Sequence, residues 1–122
     1  MPKFTLSKKS ISRLSGVDPR LIACVVLALF KYSEVDFTVN EGIRTLEQQK
    51  ENVKKGVSKT LKSYHLDGRA VDLLPLPIDW NNIEAFKKVA KAMFLAADDL
   101  GITILNGGTS WGWDWPHFQL EK

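Results

Sequence analysis

A run of ten consecutive apolar residues, at positions 21–30, restricts the possible folds more than any other feature of this sequence. The run is about half as long as a helix that spans a bilayer, so no stable membrane insertion is expected. Asp18 and Pro19 precede it as an N-cap and a first-turn proline, which predicts a buried helix from about residue 19 to residue 32. Cys24 lies inside the run. As the single cysteine it has no intrachain disulfide partner, and a buried, inert thiol is expected.

Hydrophobic periodicity and capping residues predict the remaining elements. Strands are predicted at residues 35–39, 70–74, 102–105 and 117–120, and helices at residues 7–15, 45–55 and 83–100. The last helix has apolar residues at helical spacing and is followed by Gly101 as a C-terminal cap. Because helices and strands do not alternate strictly, the predicted class is α+β. The prediction is a small antiparallel sheet with flanking helices in a single domain, residues 1–122.

The charge pattern restricts the partners. The net charge is +3 and the isoelectric point about 9.0, which permits nucleic acid, an anionic membrane surface or an anionic cell-wall polymer. The lysines are scattered along the chain, whereas a nucleic-acid-binding protein usually has a clustered basic stripe. Nucleic acid is therefore not expected as a partner.

His65 and His117 are the only two histidines of the sequence. Two imidazoles and one carboxylate are a workable catalytic zinc shell with a fourth position left for water. After His65, Gly68 permits a sharp turn and Asp72 follows on a strand. Each histidine, taken alone, also fits an ordinary surface or core position. The pattern Ser-x-His-x-x-Gly-x-Ala-x-Asp at residues 63–72 favours the zinc site, since a chance match in this chain is about one in ten thousand.

These motifs resemble those of the zinc D-alanyl-D-alanine carboxypeptidase/dipeptidase and phage endolysin family. The resemblance implies a Hedgehog/DD-peptidase-like fold around a single zinc site. It implies Zn²⁺ ligands at His65, Asp72 and His117, and a catalytic base at Asp114, three residues before the last ligand. The base position holds aspartate where many relatives have glutamate. This shorter side chain requires a closer approach to the reacting water.

Two further segments indicate which branch of this family the sequence resembles most. Residues 10–19 are similar to the amino-terminal segment of the phage L-alanyl-D-glutamate endopeptidases, and residues 42–45, Gly-Ile-Arg-Thr, are similar to the family's arginine motif. Arg44 is then expected to stabilise negative charge on the scissile carbonyl and to contact substrate, although a structural surface arginine is the alternative. Ser63 either binds substrate or caps a turn. Trp113 belongs to an alternating set of three tryptophans that suits an aromatic rim for peptide or sugar.

The predicted function is a zinc metallopeptidase that hydrolyses the L-alanyl-D-glutamate bond of peptidoglycan stem peptides and so lyses bacterial cell walls. The alternatives are a D-alanyl-D-alanine carboxypeptidase and a non-catalytic cell-wall-binding module. The chain has no pattern of a normal signal peptide. A monomer is expected that is made in the host cytoplasm without a signal peptide and acts on the cell wall after release.

Overall fold

Four helices and a four-stranded sheet form the part of the chain that the computed structural model describes, residues 4–41 and 68–121. The helices are α1 (Lys8–Arg13), α2 (Pro19–Leu27), which continues into a π-helical turn (Ala28–Tyr32), α3 (Ile83–Leu100) and α4 (Gly107–Trp111). The strands are β1 (Phe37–Glu41), β2 (Ala70–Pro75), β3 (Ile104–Asn106) and β4 (Asp114–Leu120). They are ordered β1-β2-β4-β3, and all neighbours are antiparallel. The predicted α+β class is confirmed, and the helix predicted at residues 45–55 lies outside the described residues.

Helix α2 contributes buried residues to the core, as its apolar sequence predicts. The Asp18 side chain accepts a hydrogen bond from the Arg20 N–H and caps the helix, and Pro19 occupies its first turn. Leu21, Cys24 and Val25 are fully buried in an apolar core that also includes residues of α3 and the sheet. Burial raises the pKa of the Cys24 thiol to about 12, which agrees with the inert role predicted for it. Within the described part of the chain, no helix is long and apolar enough to cross a membrane.

Helix α3 begins and ends close to the predicted positions. The Asn82 side chain accepts a hydrogen bond from the Ala85 N–H at 3.2 Å, which caps the first turn. Gly101 ends the helix in the left-handed conformation, with a φ of 69°. The Ile102 N–H then bonds to the Ala97 carbonyl at 3.0 Å. This capping contact holds Ile102 outside the sheet, so β3 begins two residues later than the predicted strand.

The other strand boundaries also differ from the predictions. Strand β1 begins at Phe37 instead of residue 35, because the Ser33 hydroxyl donates to the Val35 carbonyl at 2.6 Å and holds that residue in a turn. Strand β4 begins at Asp114, three residues before the predicted start. Its register with β2 begins only at His117, so Pro116 lies where no ladder hydrogen bond is required.

Candidate metal and catalytic site

Asp72 and His117, two of the three predicted metal ligands, lie directly opposite each other on the neighbouring strands β2 and β4. Their neighbours Val71 and Phe118 are buried in the core, and the alternation of side chains along a strand turns Asp72 and His117 to the opposite face. The Asp72 Oδ1 and His117 Nδ1 atoms are 3.4 Å apart. The side chains are only 20% and 10% exposed, so their interaction is shielded from water.

The other ring nitrogen of His117 is also held in place. His117 Nε2 lies 2.8 Å from Gln119 Oε1, and because an amide oxygen only accepts hydrogen bonds, Nε2 is the donor. Burial opposes the charged ring, but the hydrogen bonds of Asp72 and Gln119 and the charges of Asp72 and Asp114 outweigh it. The pKa of His117 is therefore raised above its usual value of 6.5. The ring of Trp111 packs beside it, with the centroids 5.3 Å apart.

This pair fits a cation. With the Nε2 proton donated to Gln119, the Nδ1 lone pair of a neutral ring faces the Asp72 carboxylate. Two acceptors at 3.4 Å attract each other only when a cation, either a proton or a metal ion, lies between them. A carboxylate oxygen and an imidazole nitrogen are suitable zinc ligands, and the hydrogen bond to Gln119 is the kind of outer contact that orients a ligating histidine.

The predicted base lies beside the same site. Asp114 is half-buried at the first position of β4 and lines a cavity of about 230 Å³ together with Asp72. Trp113 lines this cavity too and is 73% exposed. Trp115 contributes a further aromatic wall, whereas Trp111 contacts His117. The rings of Trp111 and Trp113 also pack against each other, with their centroids 6.4 Å apart, and an aromatic rim for substrate stays a prediction.

A buried asparagine supports the strand that carries Asp114 and His117, and the sequence analysis missed it. Asn106 is fully buried. Its Nδ2 donates to the carbonyls of Trp115 and His117 at 2.9 and 3.1 Å, and its Oδ1 accepts from the Gly108 and Thr109 N–H groups, each at 3.0 Å. One side chain thus caps α4 and ties it to β4. The available signal was the Asn-Gly pair at residues 106–107, which marks a turn or a cap.

The glycines of this segment allow close contact with the same strand. A Cβ at Gly107 would overlap the backbone of Asp114, and a Cβ at Gly108 would overlap the ring of Trp115. Gly107 also forms an antiparallel bridge with Asp114. The position of Asp114 therefore depends on the absence of a side chain at residue 107.

Three of the predicted site residues, His65, Ser63 and Arg44, lie outside the described residues, so their positions stay predictions. Among residues 4–41 and 68–121, no group of three or more possible metal ligands is found. That part of the chain contains only two of the three predicted ligands, Asp72 and His117, and these two are brought together.

Comparisons with known proteins classify the chain as a peptidase. A model of the phage L-alanyl-D-glutamate peptidase family matches residues 2–119. The L-alanyl-D-glutamate peptidase of Escherichia phage T5 is 40% identical over 114 residues, covering 88% of this chain and 82% of that protein. The L-alanyl-D-glutamate peptidase of Listeria phage A118 is 36% identical over 96 residues, covering 71% of this chain and 31% of that protein.

A solved structure matches as well. The Serratia marcescens L-Ala D-Glu endopeptidase ChiX superposes with a TM-score of 0.89 at 38% identity, covering 98% of this chain and 91% of that one. These matches place the chain among the peptidases, which confirms the enzyme class that its motifs predict. More narrowly, the chain belongs to the phage L-alanyl-D-glutamate peptidase family.

Proposed function

We propose that this protein is a zinc-dependent endolysin that hydrolyses the L-alanyl-D-glutamate bond of peptidoglycan stem peptides. The observation that carries the proposal is the shielded pair of Asp72 and His117 beside the Asp114-lined cavity, in a chain of this peptidase family. The endolysin acts on the bacterial cell wall. The monomeric state and synthesis in the host cytoplasm stay predictions.

Asp72 and His117 would hold the zinc ion together with His65. A zinc ion in such a site supplies Lewis-acid chemistry and lowers the pKa of a water molecule to about 7. The chain contributes the orientation of its ligands. Gln119 keeps the Nε2 proton on His117, which leaves Nδ1 directed toward Asp72, and the paired strands fix the distance between these two side chains.

Asp114 acts as the general base. Its carboxylate accepts a proton from the attacking water and later returns it to the amino group of the departing D-glutamate, so that no net proton is consumed. The half-buried position beside the aromatic side chains of Trp113 and Trp115 limits the access of bulk water to this proton transfer.

The remaining roles concern substrate. Arg44 stabilises the negative charge that develops on the scissile carbonyl oxygen and helps to hold the stem peptide. Ser63 donates a hydrogen bond to the peptide backbone. Trp113 offers an exposed ring at the mouth of the cavity for contact with substrate.

Digestion of purified cell walls, followed by mass spectrometry, tests the proposed bond. The expected products carry a new amino terminus on D-glutamate and leave L-alanine attached to muramic acid. Release of free D-alanine would instead identify the carboxypeptidase. Binding to cell walls without any new terminus would identify the binding module.

Three substitutions separate the ligands from the base. Asp114→Asn is expected to keep one zinc per chain and to lose activity by about 10²–10⁴, the usual contribution of general acid–base catalysis. Asp72→Asn is expected to lose the zinc, as measured by elemental analysis. Asp98→Asn, at an exposed carboxylate on α3, is the matched control and should change neither quantity. Loss of zinc in Asp114→Asn with retention in Asp72→Asn would mean that the two carboxylate roles are exchanged.

A further inference from the structure

The cavity beside Asp72 and Asp114 has several aromatic side chains in its walls, which the cleavage reaction itself does not require. Four aromatic residues line it, namely Trp80, Phe86, Trp113 and Trp115. Its volume of about 230 Å³ is below the usual 300–1,000 Å³ of small-molecule sites, so it suits one ring at a time. Such a cleft, directly beside the reacting groups, favours a ligand with a flat, partly apolar face.

Trp80 is fixed in place although it is 59% exposed. It lies in a turn between β2 and α3, in which the Asp79 side chain accepts from the Asn81 N–H and the Asp79 carbonyl accepts from the Asn82 N–H, each at 3.0 Å. Its ring stacks on Phe86 with a centroid distance of 5.9 Å and an angle of 28°. Phe86 belongs to α3 and is only 3% exposed, so the Trp80 ring packs on a side chain that is itself buried in the core. A held but exposed tryptophan loses little conformational entropy when a ligand stacks on it.

The covalent structure of the substrate determines which side of the cut bond offers a ring. On the D-glutamate side, the stem peptide continues as a chain of amino acids. On the L-alanine side, the next group is muramic acid, whose own carboxyl is consumed in the amide bond to alanine, so this part of the substrate is neutral.

The ring of muramic acid can also make favourable contacts with the aromatic side chains of the cleft. A pyranose ring has an apolar C–H face, and its polarised hydrogens are attracted by the negative face of an aromatic ring. The exposed side chain of Asn40 lines the same cleft and can hydrogen-bond to an acetamido or hydroxyl group at the edge of the sugar. The stem peptide has methyl, carboxyl and amino groups in its side chains but no aromatic or branched apolar group that would require this cleft.

We propose that the aromatic cleft binds the N-acetylmuramic acid ring that carries the stem peptide, and that Trp80 is the specificity-determining residue. The enzyme then prefers stem peptides that are still attached to glycan over peptides that have been released from it. This inference rests on the proposed cleavage between L-alanine and D-glutamate and identifies the neighbouring part of the substrate.

The test compares two soluble substrates with the zinc-loaded enzyme. One is an N-acetylmuramyl tripeptide, and the other is the same tripeptide with an acetyl group in place of the muramyl group. The wild-type kcat/KM is expected to be at least about tenfold higher on the muramyl substrate, a ratio equal to roughly 1.4 kcal/mol. In Trp80→Ala this ratio should fall toward one, whereas Trp80→Phe should keep most of it. Phe30→Ala removes another exposed aromatic side chain, outside the cleft, and should keep the full ratio.

The outcomes separate this inference from the function on which it rests. Equal wild-type rates on the two substrates, with cleavage at the expected bond, would overturn the sugar site and leave the proposed function intact. An unchanged ratio in Trp80→Ala, or an equal loss in Phe30→Ala, would overturn the role of Trp80. Failure of the wild-type enzyme to cleave either substrate between alanine and glutamate would overturn both proposals.

Discussion

Asn106 is expected to be the most important buried polar residue for the stability of the described site. Replacing it with alanine removes four hydrogen bonds of 2.9–3.1 Å at once. Each such bond contributes a net 0.5–1.5 kcal/mol, so we expect Asn106→Ala to lower the free energy of unfolding by about 2–6 kcal/mol. This is a large part of the roughly 5–15 kcal/mol that stabilises a typical domain.

The assay is urea unfolding in the presence of a chelator, followed by circular dichroism, so that metal binding does not contribute. Asn82→Ala is the matched control because Asn82 also caps a helix, but through one exposed hydrogen bond of 3.2 Å. This control should cost about 1 kcal/mol. If Asn106→Ala cost no more than Asn82→Ala, the two bonds from Asn106 to the carbonyls of β4 would contribute nothing, and the reasoning would be refuted.

Asn106→Asp distinguishes the hydrogen bonds that the Asn106 oxygen accepts from those that its nitrogen donates. An aspartate can still accept from the α4 N–H groups, but its second oxygen would face the Trp115 and His117 carbonyls. Burial and these two carbonyls raise the pKa of the new carboxyl in the folded state. Its stabilising contribution is therefore present below the unfolded value of about 3.9 and is lost as the pH rises through the folded value. The variant should lose stability as the pH rises, and a cost independent of pH would contradict this argument.

Three other results follow from the described contacts. Gly108→Ala should destabilise the protein by at least about 1–3 kcal/mol in the same urea assay, because its methyl group would overlap the Trp115 ring. Cys24 should not react with a thiol reagent at pH 8 in the native state, because burial raises its pKa to about 12; it should react after unfolding, and rapid native reaction would contradict its burial. The hydrogen bond from Arg20 lowers the pKa of Asp18, so its contribution to stability is present above about pH 3.9 and is lost as the pH falls through the folded value. Asp18→Asn keeps the cap and should remove this acid dependence, as urea midpoints from pH 5 to pH 2 would measure.

The elements predicted correctly are those with strong local signals. The helix Ile83–Leu100 has a long hydrophobic period, an N-cap and a glycine at its end, and each of these signals acts over a few residues. Strand β2 begins at Ala70 as predicted because the Gly68 turn precedes it. Asp72 could be placed on this strand because the alternating pattern of a strand is a local property.

Features that depend on tertiary contacts were missed. Helix α4 has five residues, two of them glycine, and no hydrophobic period; it forms because Asn106 caps it and β4 packs on it. Trp80 gave no signal in the sequence because its loop has no periodicity, and its importance follows from its contact with Phe86. The direct opposition of Asp72 and His117 required the strand register, which no local pattern contains.

The connection between the amino-terminal segment and the site shows why such contacts matter. Residues 10–19 and residues 63–72 carry separate motifs, yet the structure joins them at Gly68. The Asp18 N–H donates to the Gly68 carbonyl at 2.7 Å, and a Cβ at Gly68 would overlap the Gly16 carbonyl. Gly68 also has a φ of 69°, a conformation that favours glycine, so any side chain there would meet both strain and overlap. Because β2 starts two residues later, the loop before α2 holds the turn that leads into Asp72. The amino-terminal segment therefore supports the position of a predicted metal ligand through its backbone.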